Sequence, residues 1–155
     1  MSGLTYRQAT ASDAAILSDI AYRSKAHWGY SQDFMDACRA ELSYVASDIC
    51  AGDARFVVAE LDGCIAGFVG LVAKADCSGE IDALFVDPQH IGLGIGKALM
   101  RRAIDAAQAL GLNTIIIQAD PNAASFYSNL GAQACGERES ESIPGRMLPL
   151  YRLDV

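Results

Sequence analysis

Residues Gly79 to Leu99, GEIDALFVDPQHIGLGIGKAL, constrain the fold more than any other stretch, because strand, stop, glycine loop and helix start follow one another without a gap. From Ile81 to Val86 every residue is apolar except Asp82, the pattern of a mostly buried strand. Asp87-Pro88 ends that strand, since proline restricts the residue before it and has no N–H to give a ladder. Gly92, Gly94 and Gly96 then open the helical run Ile95, Leu99, Ala103, Ala106, Leu110. Such a loop presents bare backbone N–H groups at the positive end of a helix, with no Cβ atoms to hold a phosphate away. The chemistry it suggests is a diphosphate cradle; the plainer alternative is a turn that needs glycine only for close strand-to-helix packing.

Two familiar phosphate loops are excluded by their offsets. A P-loop requires a glycine five residues before its Gly-Lys pair and a hydroxyl after it, but around Gly96-Lys97 those places hold Ile91 and Ala98. A dinucleotide fingerprint requires a third glycine at Lys97 or at Leu99, depending on which pair starts it.

The stretch resembles motif A of the GNAT superfamily of acyl-CoA-dependent N-acetyltransferases, in which a strand and a V-x-P turn precede R/Q-x-x-G-x-G/A. Val86-Asp87-Pro88 and Gly94-Ile95-Gly96 match it, while Ile91 stands at the Arg or Gln position, so diphosphate binding rests on backbone amides. Downstream, DPNAASFYSNLGA from Asp120 to Ala132 resembles motif B of the same family, with its Asn, its Phe-Tyr pair and its Leu-Gly helix end.

The rest of the chain reads as scaffold. Leu4 to Ala9 is a strand, and Thr10 to Asp13 caps a helix that carries Leu17, Ile20, Ala21 and Ser24 and stops near Ala26. Ser31 caps a second helix whose buried stripe is Met35, Cys38, Leu42, Val45 and Ile49. Arg55 to Leu61 and Cys64 to Ala73 form a hairpin around Asp62-Gly63. Asn113 to Gln118 is a strand after Gly111, and Ala123, Phe126, Tyr127 and Leu130 lie on a short helix ended by Gly131. Ala132 to Glu137 and Met147 to Leu153 are the last strands. This order implies one α/β domain over residues 1–155, a mixed and mostly antiparallel sheet of about seven strands with helices on both faces. The resemblance implies the same fold, with its fourth and fifth strands, Glu80 to Val86 and Asn113 to Gln118, splayed at a bulge to admit a pantetheine arm.

A formal net charge of −7 counts against a nucleic-acid or anionic-membrane partner, which would draw on an excess of Lys and Arg. It favours a cationic small molecule. The five cysteines form no C-x-x-C pair and no ligand set with His27 or His90, so reduced, mostly buried thiols and no metal are expected. No secretory signal or spanning segment is legible, which points to the cytoplasm; a homodimer is left open.

The resemblance implies that the chain transfers acetyl from acetyl-CoA to the amine of a small molecule in a ternary complex. The alternatives are a protein N-terminus or lysine as acceptor, or a silent acyl-CoA-binding module. Acetyl-CoA would lie along Leu84, Phe85 and Val86, over Ile91, Gly92, Leu93, Gly94, Ile95, Gly96 and Lys97, and against Asn122 and Tyr127. Arg101 and Arg102 could help Lys97 neutralise its phosphates. Tyr127 would protonate the departing thiolate and Glu80 would deprotonate the amine, with Asp82 as understudy. A strand period of two puts Glu80, Asp82, Leu84 and Val86 on one face. Trp28 and Tyr30 would wall the acceptor side together with Asp82.

Overall fold

The computed structural model describes residues 3–155. Strands β1 (Leu4–Gln8), β2 (Ala54–Leu61), β3 (Cys64–Ala73), β4 (Ser78–Val86), β5 (Thr114–Gln118), β6 (Gln133–Glu139) and β7 (Met147–Asp154) form a seven-stranded sheet in the order β1-β2-β3-β4-β5-β7-β6. Only β4 and β5 run parallel. Helix α1 (Ala14–Ala26) covers β3 and β4 on one face, and α4 (Ile95–Ala109) covers β2, β3 and β4 on the other. Short helices α2 (Gln32–Cys38), α3 (Ala46–Ile49) and α5 (Ala124–Asn129) complete the layers. The mixed sheet between helices is the architecture expected from the element order.

Local chemistry explains the elements. Ile95, Leu99, Met100, Ala103 and Ala107 are the buried stripe of α4, and Gly111 past its end turns left-handed at φ 76°. Asp62 and Gly63 both adopt positive φ, 52° and 86°, as the tight right-twisted hairpin demands. Among the described residues no helix is long and apolar enough to cross a membrane.

Three expectations need correction. The stripe from Met35 to Ile49 does not lie on one helix: α2 stops at Cys38, and Val45 is exposed as the residue before α3. The break occurs because Tyr44 is drawn into the core against Phe56 and Phe68, while its backbone is fastened to α1 by Ser18 Oγ, which lies 2.8 Å from Tyr44 N and 3.2 Å from Tyr44 O. The cysteines are free but mostly exposed; only Cys38 is buried, because Cys50, Cys64, Cys77 and Cys135 fall at a helix end, at a hairpin, in a turn and on the edge strand β6. The third correction concerns β4. Gly70 pairs with Ala83 but Leu71 pairs with Ile81, which leaves Asp82 as the extra residue of a β-bulge. The bulge shifts the alternation, so Leu84 and Val86 join Ile81 on the α4 side, while Ala83 and Phe85 face the α1 side.

The strand end and the N-terminal edge are held by buried carboxylates. Arg23 of α1 donates to Asp87 at 2.9 Å, and Arg7 of β1 grips Asp13 at 2.8 Å. Each guanidinium holds its carboxyl below the usual range. A carboxyl depressed on folding adds stability that is complete above its unfolded pKa, about 3.9, and is lost as pH falls below that value. Stability measured from about pH 6 down to about pH 2 should therefore owe no loss to these two carboxyls until about pH 4 and fall steeply below it. Asp87→Asn should lower stability by roughly 1 kcal/mol at neutral pH, as a partly exposed pair warrants, and flatten part of that slope.

Candidate active site

β4 and β5 pair only through Ser78–Thr114, Gly79–Ile115 and Glu80–Ile116. Beyond Ile81 they part, β4 staying with β3 and β5 with β7, and a cleft of about 600 Å³ opens between them. Both strands thus turn unpaired N–H and C=O groups toward the gap, available to an extended amide-bearing chain. Leu84, Phe85 and Val86 line it from one side and Ile117 and Gln118 from the other.

One end of the cleft is the glycine loop. Gly92 and Gly94 adopt φ 90° and 77°, and a Cβ placed on either would meet nothing within 4 Å, so the space over them is open. Ala98 N is the first amide of α4 to find a backbone acceptor, Gly94 O at 3.1 Å. The amides of Ile95, Gly96 and Lys97 are left for an anion at the positive helix end. Lys97 lines the cleft, whereas Leu93 is exposed and does not. Arg102 lies over the Tyr6 ring at 4.9 Å, packing that suits a solvated helix face rather than a phosphate contact.

Tyr127 forms the floor, 6% exposed, its ring edge-on to Phe126 at 5.1 Å and stacked near Tyr151. No protein group bonds its hydroxyl, yet no fully enclosed polar side-chain atom lacks a partner among the described residues, so the hydroxyl must open into the cleft. Burial alone pushes this phenol up, keeping it protonated far above neutrality.

The far end is acidic. Glu80 and Asp82 both line the cleft, with Glu80 paired to Arg138 at 3.1 Å. Asp82 has no ion pair and opens to the cavity, but protein crowds around it. That desolvation, reinforced by Asp48, Glu141 and Glu80 and partly offset by Lys74, raises its carboxyl. Glu41, Glu141 and Tyr44 border the same end.

A profile of the Acetyltransferase (GNAT) family matches residues 21–132, which is well over half of the chain. The chain belongs to the GNAT family. Its curated relatives include the peptidyl-lysine N-acetyltransferase YjaB of Salmonella typhimurium, 32% identical over 79% of this chain and 80% of that protein. Among solved structures, a PaiA N-acetyltransferase from Thermoplasma acidophilum in complex with coenzyme A superposes with TM-score 0.77 at 18% identity, covering 99% of both chains. YncA from Salmonella typhimurium with acetyl-CoA gives TM-score 0.70 at 23% identity, over 98% of this chain and 94% of that one. These two likenesses speak for the fold.

Within this GNAT chain, Trp28 lines the cleft but Tyr30 stands behind the wall, stacked on Phe34 at 4.1 Å. The Tyr30 hydroxyl donates to Asp120 at 2.8 Å and accepts from Asn122 Nδ2 at 3.0 Å and from Arg146 at 2.9 Å. Lys25 of α1 completes the knot at 3.2 Å from Asp120. Burial would raise the Asp120 carboxyl, but the Asn122 amide, Tyr30 and Lys25 outweigh it and hold the group low. Asp120 also caps the turn that leads into α5, accepting from Asn122 N at 2.9 Å. Lys25, Arg146 and Tyr44 escaped the sequence reading, and Asp120 entered it only as the start of the motif B stretch. Asp120-Pro121 carried a capping signal, but Tyr44 and Arg146 gave none, since their partners are remote in sequence. No group of three His, Cys, Asp or Glu side chains among the described residues is placed to hold a metal.

Proposed function

We propose that this chain transfers the acetyl group of acetyl-CoA to the primary amine of a small molecule, by direct attack in a ternary complex. The observation that carries the reading is the hydroxyl of the buried Tyr127, without a partner among the described residues and opening into the cleft that the amide cradle and the acidic residues also line. The cradle amides of Ile95, Gly96 and Lys97 fit the diphosphate, and the unpaired edge of β4 fits the pantetheine amides.

Two proton problems remain for the side chains. An amine of pKa about 10 is protonated at neutrality, and freeing its lone pair costs roughly 4 kcal/mol at pH 7. Glu80 is occupied by Arg138, whereas Asp82 is unpaired and raised, so Asp82 takes this proton and Glu80 supports the local field. The nitrogen then attacks the thioester carbonyl; the C–N bond forms, the C–S bond breaks, and the Tyr127 O–H delivers its proton to the leaving sulfur. The proton that the acylated nitrogen still has to lose leaves through water to restore the Tyr127 phenol, and solvent removes the one held by Asp82.

A second reading has its own support. The relative 32% identical over 79% of this chain is named a peptidyl-lysine N-acetyltransferase, which favours a protein lysine as acceptor. The knot of Tyr30, Asp120, Lys25 and Arg146 favours a small acceptor, because it ties three segments together beside the cleft where a peptide would need an open trough. A cytoplasmic setting suits the free thiols. The deciding assay is thiol release from acetyl-CoA with a panel of small amines and lysine peptides. Turnover is expected with amines, alongside a rise in melting temperature with acetyl-CoA and none with NAD. Stabilisation by acetyl-CoA without thiol release from any acceptor would instead establish a binding module.

A further inference from the structure

The acidic end of the cleft holds more negative charge than deprotonating one amine requires. Glu41, Asp82 and Glu141 all border it, none of them in an ion pair among the described residues, and Asp48 adds its field to both Asp82 and Tyr44. Acidic surface residues alone are ordinary solvated charges. Tyr44 is not ordinary. The residue is 8% exposed, its ring wedged edge-on against Phe68 at 5.4 Å, and its hydroxyl bonds no group among the described residues. Since no enclosed polar side-chain atom is left without a partner, that hydroxyl too emerges into the cleft, beside the carboxylates. A buried phenol held open among unpaired carboxylates is an acceptor-lined seat for a cation, completed by an oxygen that can accept one N–H of an ammonium.

We infer that the acceptor is a small diamine, whose reacting nitrogen meets Asp82 while its second, unreacted ammonium is seated by Glu41, Glu141 and the Tyr44 hydroxyl. This rests on the acetyl-transfer reading and names the substrate class for it. The reaction neutralises one nitrogen as an amide and leaves the other charged.

The test compares α,ω-diaminoalkanes of graded length with n-alkylamines of equal carbon count. It uses thiol release for kcat/KM and, separately, calorimetric binding of the same amines to the protein saturated with CoA. The expected result is a diamine advantage of about tenfold or more in kcat/KM at low salt, shrinking as ionic strength rises. Glu41→Gln combined with Glu141→Gln, and separately Tyr44→Phe, should reduce that ratio to within about threefold. Tyr44→Phe keeps the ring in the core, so its loss of preference cannot be put down to unfolding if its melting temperature holds. Turnover of monoamines as good as that of diamines would overturn the seat while leaving acetyl transfer intact. A lysine peptide outrunning every diamine would also overturn it. Diamine binding that depends on Glu41 and Tyr44, without any thiol release, would keep the seat and overturn the transfer; neither binding nor release would overturn both.

Discussion

Tyr127→Phe is expected to slow acetyl transfer by about a hundredfold or more, close to 2.7 kcal/mol in the barrier, with little change in acetyl-CoA affinity. The ring's contacts with Phe126 and Tyr151 survive the substitution. The deleted hydroxyl has no partner among the described residues and opens into the cleft, so melting temperature should be nearly unchanged. Turnover, calorimetric affinity and a melting curve on one preparation separate the two roles: a core aromatic would leave kcat normal. Because burial raises this phenol, its titration should place no limb in the pH profile near neutrality. On the proposed mechanism the acid limb should come from Asp82. A base with a raised pKa is disabled as pH falls through that value, above the ordinary carboxylate range, and Asp82→Asn should erase this limb. The variant's rate should recover as pH approaches the amine's own pKa of about 10. If Glu80→Gln erases the limb instead, Glu80 is the base and Arg138 releases it during turnover.

The second large effect lies at the other end of the cleft. Gly94→Glu should weaken acetyl-CoA binding by about a hundredfold or more, since it sets a negative charge at the helix amides that receive the diphosphate. Gly94 sits at φ 77°, so any side chain there carries backbone strain as well, on the order of 1 kcal/mol. Gly94→Ala is the control: it bears the strain, and its Cβ would enter space with no protein atom within 4 Å. Alanine should lose stability but keep most of the affinity, and glutamate should lose both. Equal affinity in glutamate and wild type would remove the cradle from this loop.

What was legible in the sequence is what short-range chemistry controls. The strand, stop and helix start around Pro88, the Asp62-Gly63 hairpin and the end of α4 at Gly111 depend on the conformational limits of one or two residues. The cradle belongs in this class, because free amides at a helix start follow from local geometry alone.

The acceptor side was less legible because its determinants are pairings. The bulge at Asp82 exists only between β3 and β4, so a period of two counted along β4 put Leu84 and Val86 on the carboxylates' face when they pack toward α4. The expected helical stripe broke before Val45 because Ser18, remote in the chain, bonds the backbone of Tyr44 and the Phe56 and Phe68 rings take its ring. Tyr30 and Asp120 met through loops whose separation in sequence hides them from any local pattern. By itself the sequence determined the order of elements, the amide cradle and the residue types available for proton transfer, since each depends on propensities acting within a few positions. Only the tertiary structure decided which carboxylates stand unpaired, which phenols keep a free hydroxyl and which segments are tied together beside the cleft, because burial, charge and hydrogen bonding at one point are summed over segments that folding alone brings together.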